Sequence, residues 1–350
     1  MADDWRADDL SICNKHRQVN LKFLIAGLGS IGRRHLRNLS ALGEKDIILY
    51  RTHQSTLPDD ELAPFQVETN LNSALSHSPD AVIVANPTAY HLDVAIPAAR
   101  AGCHILIEKP LAGQSTPEIK NLQNAVLEKD VKVLIGFQFR FHPVLAQIKA
   151  LLASGQLGWP YSFRVHWGEY LPDWHPWEDY RQSYAARKIL GGGVVNTLSH
   201  PMDYVRWLFG EVNALSAWTG KVSDLEIDVE DAAEITIKFE SGCVGSIHLD
   251  YYQRPPAHWM EINCEKGHIR WESETGAAKV FLADQQGWTT LEPPEGFERN
   301  DLFLAEIQHF LGMIRDEAES RCTLRDGVCA LKLTEAVHAS NANGKWISMR

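Results

Sequence analysis

The chain is short of anything that would cross-link or anchor it. Its six cysteines, at positions 13, 103, 243, 264, 322 and 329 of 350 residues, are scattered and never form C-x-x-C. In a chain this large they read as small buried or half-buried side chains in a reducing compartment. They supply no zinc framework, and no metal is expected. No segment reaches membrane-spanning length without charges, and the first 18 residues are polar, carry both charge signs and lack an apolar signal-peptide core. A basic block is missing too: 34 Lys and Arg against 45 Asp and Glu leave a formal charge of -11, so neither a nucleic acid nor an anionic membrane is expected as a partner. Internal repeats and low-complexity tracts are absent. These absences leave a soluble cytoplasmic protein as the expectation.

What is present is a 45% hydrophobic chain, long enough for two domains. Its first half alternates strand-like and helix-like patterns: KFLIAGLG, a helix from Ile31 to Leu42, DIILYR, DAVIVA from Asp80, a helix through Val94 and Ala98, CHILIEKP, a helix from Thr116 to Leu127, and VKVLIGF from Val131. That rhythm describes a mostly parallel sheet with helices on both faces. After Pro143 longer alternating strands follow, at 161–168, 232–240, 243–252 and 258–272, with turn-forming Gly, Pro and Asp between them. They fit an open, mainly antiparallel sheet with one face on helices and the other free for substrate or another subunit. The fold class expected is α/β: an N-terminal extension over 1–18, a dinucleotide-binding Rossmann domain over 19–140, a substrate-binding and oligomerisation domain over 141–325, and a C-terminal helix and tail over 326–350 that packs back towards the first domain.

The most informative stretch is KFLIAGLGSIG, an apolar strand breaking directly into G-x-G-x-x-G before a helix. Gly27 allows the tight turn, Gly29 leaves the backbone bare for a pyrophosphate, and Gly32 lets the helix pack close to the strand. Ser30 and Ile31, within the motif, are counted with the cofactor contacts. The second strand ends in Tyr50-Arg51, where an acidic residue would hydrogen-bond the adenosine ribose. Arg51 instead suits a 2'-phosphate, giving NADP(H) a modest advantage over NAD(H); the alternative is that it points into solvent. Asn86, Pro87 and Thr88 follow DAVIVA at the carboxyl edge of the sheet and, with His91, are placed on the cofactor's path towards nicotinamide. An ordinary turn is the competing reading of that segment.

Two constellations carry chemistry. Glu108-Lys109-Pro110 ends CHILIEKP at the ligand edge, where the Lys109 ammonium can approach a substrate hydroxyl and the nicotinamide ribose. Glu108 is counted with the cofactor site and is also suited to pairing with a neighbour, and a cis Lys109-Pro110 bond would aim the lysine inward. The second is GGGVVNTLSHPMDYVRWLFG at 191–210. In a helix starting after the glycines, Asn196 and His200 lie four apart on one face, with Asp203 near the same side, and Pro201 kinks or divides the helix beside His200. Upstream, DWHPWEDYRQSYAARKILGGG is rich in rings and polar tips, and Tyr184 and Arg187 are the substrate contacts expected of it; subunit interface is the rival use of those aromatics.

Taken together, GLGSIG at 27–32, EKP at 108–110, GGGVVNTLSH at 191–200 and DGVCALKLTEAVHAS at 326–340 resemble the Gfo/Idh/MocA oxidoreductases, the family of glucose-fructose oxidoreductase and inositol dehydrogenase. The resemblance covers almost the whole chain after the N-terminal extension. It implies a Rossmann domain, a C-terminal α/β domain whose open sheet forms a homodimer or homotetramer interface, and hydride transfer between NAD(P) and a sugar, sugar acid, nucleotide sugar or cyclitol. By resemblance, Lys109 is the active-site lysine and His200 the histidine that exchanges the hydroxyl proton. The family often has aspartate where this chain has Asn196, which can orient a partner but cannot raise the histidine's basicity with a charge. In oxidation His200 would take the proton of a secondary hydroxyl while Lys109 stabilises the developing alkoxide, the two being able to exchange roles. Two rivals stand beside the dehydrogenase: a redox-cycling enzyme with tightly held NAD, such as a glycosidase, and a cofactor-binding regulatory protein that has lost catalysis.

Overall fold

The computed structural model describes residues 20–52, 57–285 and 287–349; the extension expected over 1–18 lies outside them. The first sheet is parallel throughout, ordered β3-β2-β1-β4-β5-β6. Its strands are β1 (Lys22–Ala26), β2 (Asp46–Tyr50), β3 (Gln66–Glu68), β4 (Ala81–Val84), β5 (His104–Glu108) and β6 (Val133–Gly136). Helices α1 (Ser30–Ala41), α2 (Leu71–Ser76), α3 (His91–Arg100) and α4 (Pro117–Lys129) connect them. Strand β4, AVIV, is buried at every position, as a strand covered on both faces must be. The strand order is that of a dinucleotide-binding Rossmann fold, with ligands at the carboxyl edge.

After α5 (Pro143–Ala153) comes a nine-stranded sheet ordered β14-β13-β12-β11-β7-β10-β9-β8-β15. Its members are β7 (Pro160–Tyr170), β8 (Val212–Gly220), β9 (Ala232–Phe239), β10 (Val244–Asp250), β11 (Tyr252–Cys264), β12 (Gly267–Glu272), β13 (Ala278–Leu282), β14 (Gly287–Leu291) and β15 (Ile347–Ser348). Only β7 and β10 pair in parallel; the other pairs are antiparallel. In β9, AAEITIKF, burial alternates from Ala233 to Phe239, so one face is covered and the other open. The segment 258–272, read from sequence as a single strand, is a hairpin: Cys264 pairs with Gly267, leaving Glu265 and Lys266 as the turn.

The helix expected after the glycines is divided into α6 (Val194–Thr197) and α7 (His200–Phe209), with Leu198 and Ser199 between them. Pro201 sits in the first turn of α7, the one part of a helix where a missing N–H costs nothing. Helix α8 (Arg299–Ile314) buries Ile307 and Phe310 in the core of the first sheet. Helix α9 (Leu324–Asn343) serves both cores, giving Ala330 and Leu331 to the first and Leu333, Ala336 and Val337 to the second.

A buried ion-pair network fastens these parts beside the site. Arg140, in the turn after β6, donates to both oxygens of Asp203 on α7 at 2.9 and 2.7 Å and to the Arg321 carbonyl at 2.6 Å. Asp326 at the start of α9 lies 3.3 Å from Arg140 and 2.7 Å from Arg206. Asp203, placed by its spacing near Asn196 and His200, is therefore committed to Arg140 and is structural. Asp203→Ala would strand a buried guanidinium and should lower stability by about 3–5 kcal/mol in urea unfolding; a loss under about 1 kcal/mol would show that water replaces the pair.

Candidate active site

The cofactor end is built from backbone. Gly27 has φ +94°, and a Cβ there would collide with the main chain of Ala85 and Asn86; a Cβ on Gly32 would strike the Gly27 carbonyl. Gly29 has open space around it and is the N-cap of α1, whose first turn, starting at Ser30 and Ile31, has neither a side-chain cap nor an acidic residue. The first N–H groups of α1 are thus left for an anion, and the residues present fit a dinucleotide pyrophosphate.

Arg51 does not point into solvent. It is 7% exposed, with Nη1 2.5 Å from Asp59, which also lies 3.7 Å from Arg33. Asn86 donates to the Tyr90 carbonyl at 3.0 Å, while its Oδ1 is buried with no partner among the described residues. Pro87 begins the turn, and Thr88 is buried where it backs Gly191, whose added Cβ would lie 3.2 Å from the threonine Cβ. Both ring nitrogens of His91 are engaged, with the Asn86 and Pro110 carbonyls at 2.9 Å each, so His91 ties together the loops that follow β4 and β5.

The Lys109-Pro110 bond is cis, and Lys109 reaches across to the other sheet's helices, its Nζ donating to the Thr197 carbonyl at 2.7 Å. Burial lowers the Lys109 pKa to about 8, with the Glu108 charge opposing the shift. Glu108 turns into the core, 2.7 Å from His35 Nε2 and 3.2 Å from the Lys109 amide. Beneath it Glu306, on α8, is fully buried with neither oxygen partnered among the described residues. Burial, then the Glu108 charge, pushes its pKa well above the usual carboxylate range, so Glu306 is a neutral acid.

His200 opens α7 with 3% exposure and its Nδ1 has no partner among the described residues. Its ring is stacked on Trp167 at 5.6 Å, Trp167 on His258 at 4.1 Å, and His258 Nε2 lies 3.1 Å from the Tyr204 hydroxyl. Burial pushes the His200 pKa well below its usual value, and the charges of Lys109, His258 and Arg299 push the same way. Asn196 Nδ2 faces the Gly191 carbonyl at 3.3 Å, and its Oδ1 is unpartnered. Because the helix breaks after Thr197, Asn196 and His200 do not share one continuous helical face. Tyr184 is half-buried, and burial raises its pKa to about 12. Arg187 is exposed, with no side-chain hydrogen bond or ion pair among the described residues. Sequence reasoning missed Thr197, although it lies beside Asn196 in GGGVVNTLSH, and also Trp167, His258, Tyr251 and Arg299, which come from parts of the chain far apart. No spacing signal marks the last four.

The sequence matches the model of the oxidoreductase family's NAD-binding Rossmann fold over residues 21–137 and that of its C-terminal alpha/beta domain over 149–349. The chain belongs to this Gfo/Idh/MocA family of oxidoreductases and is an NAD(P)-dependent dehydrogenase or reductase. It is 28% identical to levoglucosan dehydrogenase of Pseudarthrobacter phenanthrenivorans, over 77% of this chain and 79% of that one. It is likewise 28% identical to myo-inositol 2-dehydrogenase of Thermotoga maritima, over 90% and 95%. Among solved structures, levoglucosan dehydrogenase in complex with NADH superposes with a TM-score of 0.85 at 23% identity, covering 95% of this chain and 99% of that chain, and so has the same fold.

The neutral state of Glu306 has a measurable consequence. A carboxyl whose folded pKa is raised stabilises the fold fully below its unfolded value near 4.5 and loses that contribution as pH rises towards the folded value. Stability of the wild type should therefore fall above pH 4.5 by up to about 1.4 kcal/mol per pH unit from this group, and Glu306→Gln should lack that slope. Parallel stability curves from pH 5 to 8 would show an ionised, solvated Glu306.

Proposed function

We propose that the enzyme oxidises a secondary hydroxyl, or reduces the corresponding carbonyl, of a polyhydroxylated carbohydrate-like molecule: a sugar, sugar acid, nucleotide sugar or cyclitol. The observation that carries this reading is a set of buried polar atoms left without partners among the described residues, namely Asn196 Oδ1, His200 Nδ1 and Trp174 Nε1, close to the Thr197, Tyr184 and Tyr251 hydroxyls. Orphaned donors and acceptors beside a cluster of hydroxyls ask for a ligand rich in hydroxyls. The activities of the levoglucosan and myo-inositol dehydrogenases, both on cyclic polyols, point the same way.

A bound nicotinamide supplies the hydride acceptor in oxidation and the donor in reduction. The chain's residues manage the proton and the position of the carbon. Of the two assignments open from sequence, the electrostatics favour Lys109 as proton acceptor in oxidation, since its pKa of about 8 matches the task, whereas burial makes His200 a weak base. Neutral His200 hydrogen-bonds the same oxygen, and Thr197 holds the lysine in place. Tyr184, kept as a phenol by burial, and Asn196 orient the remaining hydroxyls, and exposed Arg187 attracts an anionic substituent. The open face of the second sheet suits a homodimer or homotetramer, and the cytoplasm is the proposed compartment. Among the described residues no helix is long and apolar enough to cross a membrane.

The experiment is a panel of sugars, sugar acids, nucleotide sugars and cyclitols with NAD and NADP, following product and reduced cofactor together. Stoichiometric reduction is expected, with Lys109→Ala and His200→Ala each losing about 10²–10⁴ in kcat. Product without net reduction would indicate redox cycling, and cofactor binding without turnover would favour a regulatory protein. Because neutral Lys109 is required, kcat/KM for oxidation should rise with pH and level off above about 8, and reduction should show the opposite limb; a flat profile across that range contradicts the assignment.

Arg51 is expected to favour NADP(H) modestly by exchanging Asp59 for the 2'-phosphate. Arg51→Ala should lower the NADP-to-NAD ratio of kcat/KM by about tenfold, and an unchanged ratio would remove Arg51 from cofactor choice.

A further inference from the structure

The open face of the second sheet carries a cluster that the dehydrogenase reaction does not use. Strands β7 and β10 run side by side in parallel, with His248 opposite His166 and Asp250 opposite Gly168. Trp167, the neighbour of His166, faces the covered side and stacks on His200, so His166 lies on the opposite face from the catalytic residues. The His166 and His248 rings stack at 4.7 Å with 12° between their planes, and Trp259 continues the stack on His166 at 5.4 Å.

Four donor atoms lie close together here. His248 Nε2 lies 2.9 Å from Asp250 Oδ2, and His166 Nε2 lies 2.5 Å from Gln253 Oε1. One ligating atom from each of His166, His248 and Asp250 falls within 4.8 Å of the other two. Gly168 forms the floor: a Cβ there would run into both Asp250 Oδ2 and Gln253 Oε1, so the two oxygens can meet only above a glycine.

The set is also held from behind. His248 Nδ1 bonds Glu234 at 2.6 Å, the carboxylate–imidazole arrangement that fixes a metal-ligating histidine. Asp250 is 1% exposed, and its other oxygen accepts from the Tyr252 and Gln253 amides at 2.9 and 2.7 Å, which aims Oδ2 at the histidines. Two imidazole nitrogens, one carboxylate and one amide oxygen form a borderline N₂O₂ donor set, suited to zinc.

We propose that His166, His248, Asp250 and Gln253 form a divalent-metal site of zinc type on the open face of the second sheet, separate from the catalytic centre. The metal replaces the hydrogen on His248 Nε2, and the His166 ring turns out of its stack on His248 to aim Nε2 at the same ion, tying β7 and β10 to the start of β11. Sequence spacing hides the site because its four ligands come from three strands.

The full-length protein, stripped with a chelator, is titrated with Zn²⁺ by calorimetry, and retained zinc is counted after gel filtration. One zinc per chain is expected, lost in the His166→Gln/His248→Gln double variant and weakened about 10–100-fold in Glu234→Gln, which removes only the supporting carboxylate. Absence of retained zinc, or one zinc retained by a folded double variant, overturns the proposal. Should the double variant misfold, Co²⁺ loading of the wild type decides: a d–d spectrum free of thiolate charge transfer supports the site, and a thiolate band or no cobalt spectrum overturns it.

Discussion

The contact on which the rest of the structure depends is the hydrogen bond from Lys109 Nζ to the Thr197 carbonyl, 2.7 Å long, made across the junction of the two sheets. The lysine comes from the end of β5, and the carbonyl from the last residue of α6, immediately before the break that starts α7 at His200. The carbonyl is free for the lysine because the residue four on, whose N–H a helical carbonyl would accept from, is Pro201, which has none. Around this contact the junction is made of close backbone approaches. Gly191 sits against Thr88, the His91 ring bridges the loops after β4 and β5, and α9 gives side chains to both cores.

Burial then decides the charges. A lysine ammonium taken out of water loses protons more readily, and Glu108 at its back limits that loss, leaving a group that titrates near pH 8. Glu108 is held by His35, and Glu306, the second carboxyl in the same dry space, has its pKa pushed well above the usual carboxylate range by burial and then by the Glu108 charge. His200, held by ring stacking with no carboxylate against it, remains neutral. One titrating lysine beside one neutral imidazole is an arrangement that can pass a proton without accumulating two charges.

Much of this was legible in the sequence, wherever a local rule applies. GLGSIG works through backbone geometry that only glycine permits, EKP through its place at the end of an apolar strand, and Pro201 through the N–H it lacks. Misreadings arose where long-range partners decide. Asp203 has the spacing of a site residue, yet Arg140, 63 positions away, claims it. Of the two readings of Arg51, the solvated one fails because Asp59 holds the side chain buried. The stretch 258–272 alternates like one strand because the two arms of a hairpin share the same face pattern. The Trp167–His258 stack that fixes His200 leaves no trace in spacing, since cross-strand neighbours are set by register.

The most direct test of the account is isotopic. A cyclic polyol that the enzyme turns over, deuterated at the carbon to be oxidised, is incubated with oxidised cofactor, and both products are analysed by mass spectrometry. Hydride transfer across the junction predicts one deuterium in the reduced cofactor and none at the oxidised carbon, with transfer abolished in Lys109→Ala. Deuterium retained in the sugar product, or lost to solvent with no label in the cofactor, would contradict it.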